Sequence, residues 1–195
     1  MNTIETRRSI RKFKPAEVSR DLIEQIVQAA SLAPSAKNRQ PWKYIVYTGE
    51  QKNSLLDVME KSLKKEQTTH ALLPYSQNGL PDAFNTLRIM RTAPVIIIII
   101  NTNAASPFEP IGADNRITEI CDTLSIGASV ENLLLKATEL ELGSLWIANT
   151  CFAYNDLAKF VGEKGQLACA IAVGYANEQP AARPRNPLTD ILEFR

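Results

Sequence analysis

Val95-Ile96-Ile97-Ile98-Ile99-Ile100, introduced by Pro94, is the segment that most narrows what this chain can become. Its six β-branched residues favour strand over helix. They do not alternate with polar residues, so neither face of the strand can meet water. Such a strand at a sheet edge would template aggregation, which places it in the interior of a sheet covered on both sides. At six residues it is also too short to cross a bilayer.

The covering layers are legible around it. Asn115 to Leu142 reads as one helical stretch, roughly 40 Å long if unbroken. From Leu124 to Ala137 it is apolar on almost every side, with Ser125, Ser129, Asn132 and Lys136 as a thin polar stripe. Gly127, Ala128 and Ser129 are small enough for close helix packing, and a second subunit is expected to supply part of the wall. Gly143 is expected at C′, ending the helix. Asp21 with Glu24 three residues on has capping-box spacing, and Leu22, Ile23, Ile26, Val27 and Ala30 share the face of a helix that Pro34 stops. Further helices are expected over Lys52–Lys65, Phe84–Arg91 and Asn155–Val161, and strands over Tyr44–Tyr47, Ser144–Ile147 and Leu167–Tyr175. Glu66 to Asp82 loses its apolar period and reads as a long loop. The tail from Ala176, with Pro180, Pro184 and Pro187, reads as extended. Helices and strands alternate irregularly, which favours an α+β fold.

Length and charge bound the rest. With 195 residues and 45% hydrophobic content, the chain can bury one core, and residues 1–195 are read as a single domain. A net charge of +1 leaves no broad footprint for nucleic acid or an anionic membrane. Cys121, Cys151 and Cys169 are dispersed and odd in number, which fits neither a disulfide framework nor a zinc site. Met1 to Glu5 lacks the apolar core of a secretory signal, so a cytoplasmic protein is expected.

The polar residues exclude several chemistries. His70 is the only histidine and no nucleophile elbow accompanies it. H-E-x-x-H, P-loop and G-x-G-x-x-G strings are absent, so no metal site is expected. A bound cofactor carrying its own chemistry removes the difficulty. Arginines stand in groups near both ends, Arg7-Arg8-Ser9-Ile10-Arg11 and Arg183-Pro184-Arg185. Brought together, they suit a phosphate, which needs several donors and compensating charge. Taken alone, either group is equally a solvated face.

Between them lies Pro34-Ser35-Ala36-Lys37-Asn38-Arg39-Gln40-Pro41-Trp42. With these three elements in this order, the chain resembles the FMN-dependent nitroreductase family from about Arg7 to Pro187. The resemblance implies a nitroreductase-like fold, a central mixed β-sheet flanked by helices, in an intertwined homodimer with FMN at the subunit interface. It implies that Arg7, Ser9, Arg183 and Arg185, with Arg8 in the same cluster, hold the FMN phosphate, and that Arg11 reaches the N1/O2 edge of the ring. Asn85 and Arg88 stand where the family places an amide and a cation at the pyrimidine end, and their i, i+3 spacing lets both project from one helical face. The same pair also reads as an ordinary helix-surface pair. Pro34, Ser35, Ala36 and Asn38 resemble the loop that a partner subunit lays over the flavin, although a proline-bounded turn accounts for the string equally well. Leu145-Trp146-Ile147-Ala148-Asn149 resembles the stretch whose backbone approaches flavin N5. Many members have glycine where this chain has Asn149, and asparagine tolerates left-handed backbone better than most residues. Asp122 to Gly143, with Asn132 and Leu133, resembles the long interface helix. Trp42 is read as a core residue.

By this resemblance the activity is NADH- or NADPH-dependent reduction of a small-molecule acceptor, such as a nitroaromatic or quinone, in ping-pong fashion through flavin N5, with no catalytic side chain. A specialised member of the superfamily, such as a reductive dehalogenase or flavin-processing enzyme, and a low-turnover flavin-binding protein are the alternatives. A chain that used its arginines for phosphopeptide or RNA would be colourless, with steeply salt-dependent binding.

Overall fold

The computed structural model describes residues 2–195. In chain order its elements are α1 (Thr3–Thr6), α2 (Arg20–Ser31), β1 (Trp42–Thr48), α3 (Gly49–Thr69), α4 (Leu80–Thr92), β2 (Val95–Asn101), α5 (Ala113–Glu139), β3 (Leu142–Ile147), α6 (Tyr154–Val161), β4 (Gln166–Tyr175) and α7 (Leu188–Ile191). The strands form one sheet in the order β1-β2-β4-β3.

The apolar run is β2, and it lies inside the sheet with every residue buried. Its alternate side chains enter two separate cores. Ile96, Ile98 and Ile100 face a cluster that includes Leu55, Leu56, Met59 and Leu63 of α3, Leu87 and Met90 of α4, and Leu157 of α6. Val95, Ile97 and Ile99 face Ile23 and Ile26 of α2 and Ile126, Val130, Leu133 and Leu134 of α5. The missing alternation is thus the imprint of helices on both faces. A bulge between Ile99 and Ile100 offsets the register against β4. Trp42 packs half-buried against the second cluster, as expected.

The sheet corrects one detail of the expectation. All pairings between the four strands are antiparallel. Its mixed character is confined to an isolated parallel bridge between Ser9 and Ser144.

Several element ends also differ. Ser19, rather than Asp21, caps α2, its Oγ accepting from Leu22 N at 3.4 Å, while Asp21 sits in the first turn and accepts from Gln25 Nε2 at 2.8 Å. The expected loop over 66–82 shrinks, because α3 continues to Thr69 and α4 begins at Leu80 with Pro81 in its first turn, where a missing N–H costs nothing. Gly143 does not end α5. Glu141 takes the left-handed conformation instead (φ 60°), and Gly143 lies within β3. The tail is half-buried at Ala176, Glu178 and Pro180 and exposed from Ala181 onward, and beyond the bridge at Ala176 the single turn of α7 is its one regular element.

Within one chain, α5 is not buried all round. Ser125, Ile126, Ser129, Val130, Leu133, Leu134 and Ala137 are buried, whereas Ile117, Ile120 and Leu124 are exposed.

Candidate functional site

The two arginine groups meet because the N-terminal segment is stitched to the edge and exit of the sheet. Ile10 N donates to Ser144 O at 2.9 Å, and Ile10 is buried over Gly143. Farther on, Phe13 bridges Ala176, Lys14 N donates to Tyr175 O and Asn177 N to Lys12 O, both at 2.8 Å. The Glu178 carboxylate accepts from the backbone N–H of Arg11 and of Lys12, the latter at 3.1 Å. The chain that leaves β4 is thereby held against Arg11, and Arg183 and Arg185 follow within a few residues.

A cavity of about 320 Å³ lies between them, lined by Arg7, Arg8, Ser9, Arg11, Arg183 and Arg185, with Glu5 and Pro180 among its other walls. Arg7 is partly neutralised by Glu131 of α5, Nε to Oε1 at 3.5 Å. Arg8 Nη1 is turned onto the carbonyls of Glu5 and Arg7, at 2.7 and 2.8 Å. The remaining guanidinium groups outnumber the acids, so the cavity suits a compact dianion such as a phosphate.

A second cavity, of about 250 Å³, is lined by Asp82, Asn85, Thr86, Trp146, Ala148 and Asn149, and by Arg11 again. The Asn149 amide group donates to Asp82 Oδ2 at 3.0 Å and to Thr86 Oγ1 at 2.9 Å. A carboxylate can only accept, so the orientation of the amide follows, and its buried Oδ1 is left without a partner. Asn85 lines this cavity from the exposed face of α4. Arg88 does not line it but donates through Nη2 to Asn85 Oδ1 at 2.8 Å, fixing that amide from one turn away.

The loop from Pro34 to Asn38 is elsewhere. None of Pro34, Ser35, Ala36 and Asn38 lines either cavity of its own chain. The loop rests on α5, where Ala36 N donates to Ser125 Oγ at 3.2 Å and Arg39 Nε to the buried Asp122 at 2.8 Å. Of the residues expected at the site, the structure therefore joins Arg7, Arg8, Ser9, Arg11, Asn85, Ala148, Asn149, Arg183 and Arg185, sets Arg88 one bond away, and separates the loop.

Three participants escaped the sequence reading. Asp82 and Thr86 share the face of Asn85 at i−3 and i+1, a helical spacing that was visible once α4 was extended back to Leu80. Glu178 carried no signal, because its partners lie 166 and 167 positions away. Tyr75, the aromatic of the polar segment, is fully exposed, and His70 caps the end of α3.

Residues 4–175 match the sequence model of the Nitroreductase family. YfhC of Bacillus subtilis (strain 168), which bears the name NAD(P)H nitroreductase provisionally, is 24% identical over 190 residues, spanning 96% of this chain and 89% of that protein. Among solved structures, a BluB-like flavoprotein from Clostridium difficile 630 superposes with a TM-score of 0.80 at 24% identity, over 100% of this chain and 97% of that one. The FMN-dependent nitroreductase NfnB from Mycobacterium smegmatis, solved in complex with NADPH, gives 0.78 at 20% identity, over 99% and 96% of the two chains. At these identities the structural likeness concerns the fold. The sequence match extends over most of the length, from α1 through the end of β4, and on that ground the chain belongs to the Nitroreductase family.

Proposed function

We propose that this protein is an FMN-dependent oxidoreductase that uses NADH or NADPH to reduce a small-molecule acceptor of the nitroaromatic or quinone class. The observation that carries the reading is Arg11, which borders both a cationic cavity and an amide-lined one. That pairing fits a ligand with a phosphate at one end and a hydrogen-bonding ring at the other. The orphaned Oδ1 of Asn149 fits the same description, since a ring N–H would satisfy an acceptor that the chain leaves unpaired.

In this reading Arg7, Ser9, Arg183 and Arg185 hold the phosphate, and Arg8 adds charge to the same cluster. Arg11 stands at the junction and offsets negative charge at the ring edge. Asn85 and Asn149 fix the plane of the ring by hydrogen bonds, Arg88 orients Asn85, and Ala148 contributes backbone. Bound there, FMN supplies the electron relay at N5 between the nicotinamide and an acceptor that enters after it has left. The protein side chains bind and orient, and none acts as acid or base. Residues 1–195 act as one domain.

The loop at Pro34, Ser35, Ala36 and Asn38 serves the neighbouring site of a homodimer, which accounts for its distance from the cavities of its own chain. The exposed Ile117, Ile120 and Leu124 of α5 provide the surface for that dimer. Three unpaired cysteines and a nicotinamide donor fit a reducing, cytoplasmic setting.

The test is spectroscopic. The purified protein is expected to be yellow, to release FMN rather than FAD on denaturation, and to bleach rapidly under anaerobic NADH or NADPH. A colourless protein that takes up no added FMN overturns the reading. A yellow protein that neither nicotinamide bleaches marks a flavin binder without turnover.

A further inference from the structure

The loop Ser35–Gln40 is held in an unfavourable conformation by means that look excessive for a surface turn. Lys37 (φ 55°), Asn38 (φ 53°) and Gln40 (φ 47°) all have left-handed backbone without being glycine. Each such residue costs on the order of 1 kcal/mol and persists only where its surroundings over-determine it. Within the loop, Ser35 Oγ accepts from Gln40 N at 3.0 Å and Asn38 Oδ1 from Gln40 Nε2 at 3.1 Å.

The stronger restraint comes from α5. Asp122 is completely buried there, and its carboxylate is divided between two partners. Arg39 approaches Oδ1 with Nε at 2.8 Å and Nη2 at 2.7 Å, while Asn103, just beyond β2, donates Nδ2 to Oδ2 at 3.1 Å. Ser125, one turn along the same helix, accepts from Ala36 N and returns its own hydrogen to Cys121 O at 2.8 Å. Burying an ion pair contributes little to stability compared with apolar residues of the same shape. A charge placed at zero exposure therefore points to geometry rather than stability as its purpose.

We propose that Arg39 and Asp122 are positioning residues, an ion pair buried at its carboxylate end that holds the strained loop in the shape in which it meets FMN bound to the partner subunit. The inference rests on the reading above, in which this loop completes the neighbouring site. Asn38 has committed its oxygen to Gln40, which leaves its amide hydrogens free, among the described residues, for a ligand. Ordering the loop in advance removes that entropy cost from the binding step.

The test is trans-complementation, read by quenching of flavin fluorescence as apoprotein takes up FMN. Asp122→Asn keeps the shape and removes the charge, and Arg39→Lys keeps the charge and loses the planar fork. Each is expected to weaken FMN binding by roughly tenfold. Arg185→Ala, which lies in the phosphate cavity, is expected to weaken it as well. A heterodimer of one Asp122→Asn chain and one Arg185→Ala chain should then recover wild-type affinity at one of its two sites. That site joins the intact cradle of the first chain to the intact loop of the second. A chain that was merely misfolded would bring its defect to both sites. Unchanged affinity in both single variants, or a heterodimer with no recovered site, overturns the positioning role. Failure of the wild-type apoprotein to bind FMN sinks the parent reading instead, and the positioning role with it.

Discussion

At the scale of single residues, Arg11 has the most to reveal, because it borders both cavities. Oxidised flavin is neutral at its ring, whereas the two-electron reduced form carries negative charge near N1. A cation there favours the reduced form and raises the potential. Replacing Arg11 by Gln keeps a donor and removes the charge. A differential effect of about 1.4 kcal/mol lowers a two-electron couple by about 30 mV. Dye-linked titration of both proteins measures it, and an unchanged potential would assign Arg11 to the phosphate alone. Arg185→Ala makes the complementary case, with FMN binding expected to weaken by about 1.5–3 kcal/mol, the worth of a hydrogen bond to a charged group. The sequence showed that arginines cluster at both ends, since charge is visible without structure. It did not show what unites them. Glu178 and the bridge from Phe13 to Ala176 join residues more than 160 positions apart, and such contacts leave no local period to read. Asn149 was legible only as a departure from glycine, whereas its meaning lies in the clamp from Asp82 and Thr86.

At the scale of elements, the expectations held where burial dictated composition and failed where side-chain hydrogen bonds did. The isoleucine run could be nothing but an interior strand. The segment from Glu66 to Asp82 looked like a loop because its apolar period fades, yet a buried carboxylate organises much of it. Glu66, 2% exposed, accepts from Leu72 N at 2.9 Å, Leu73 N at 3.0 Å and Gln77 Nε2 at 3.2 Å. Burial alone would raise the pKa of this carboxyl, but the N–H groups of Leu73 and Leu72 and the amide of Gln77 outweigh it and hold the pKa below the usual value. A depressed carboxylate pKa contributes stability that is complete above the unfolded value, about 4.3, and is lost as pH falls through the folded one. Glu66→Gln is therefore expected to cost about 1.5–3 kcal/mol at neutral pH and to flatten the acid side of the stability profile. Urea unfolding at several pH values measures both, and a variant that tracks the wild type throughout would remove Glu66 from this role. Gly143 was misassigned for a related reason. A glycine near a helix end suggests a C-cap, but here a Cβ would stand 2.9 Å from Ile10 Cγ1. Gly143→Ala should push the Arg7–Arg11 segment off β3, costing about 1–3 kcal/mol of stability. FMN affinity should fall with it, and calorimetry alongside flavin titration would separate a loss of stability alone from displacement of the arginines.

At the scale of the whole molecule, one chain leaves more apolar surface open than its own packing explains. Ile117, Ile120 and Leu124 are 62%, 47% and 71% exposed, and their i, i+3, i+7 spacing lines them along one side of α5. Contiguous apolar surface of this kind marks an interaction site in a soluble protein. The stretch that reads in the sequence as apolar on nearly every side, Leu124 to Ala137, is largely covered within the chain and shares only Leu124 with this patch. Gly127 offers a substitution whose effects on the chain and on a dimer differ in sign. Within the chain, a Cβ at Gly127 would meet only Trp146 Cη2, at an ordinary 3.9 Å. Leucine also exceeds glycine in helix propensity, by somewhat less than the roughly 0.8–1 kcal/mol that separates glycine from alanine, so Gly127→Leu should leave the isolated chain equally or more stable. Across a closely packed helix interface the same side chain overfills the contact, at roughly 1–3 kcal/mol for each copy. Sedimentation at graded concentrations should show a weakened dimer, while unfolding of the dissociated chain shows no loss. FMN occupancy should fall together with the dimer, since the loop at Ser35 and Asn38 would no longer reach the neighbouring cavities. A variant that keeps the dimer at wild-type strength would place the contact elsewhere on the surface. A stable, FMN-loaded monomer would abolish the shared site altogether.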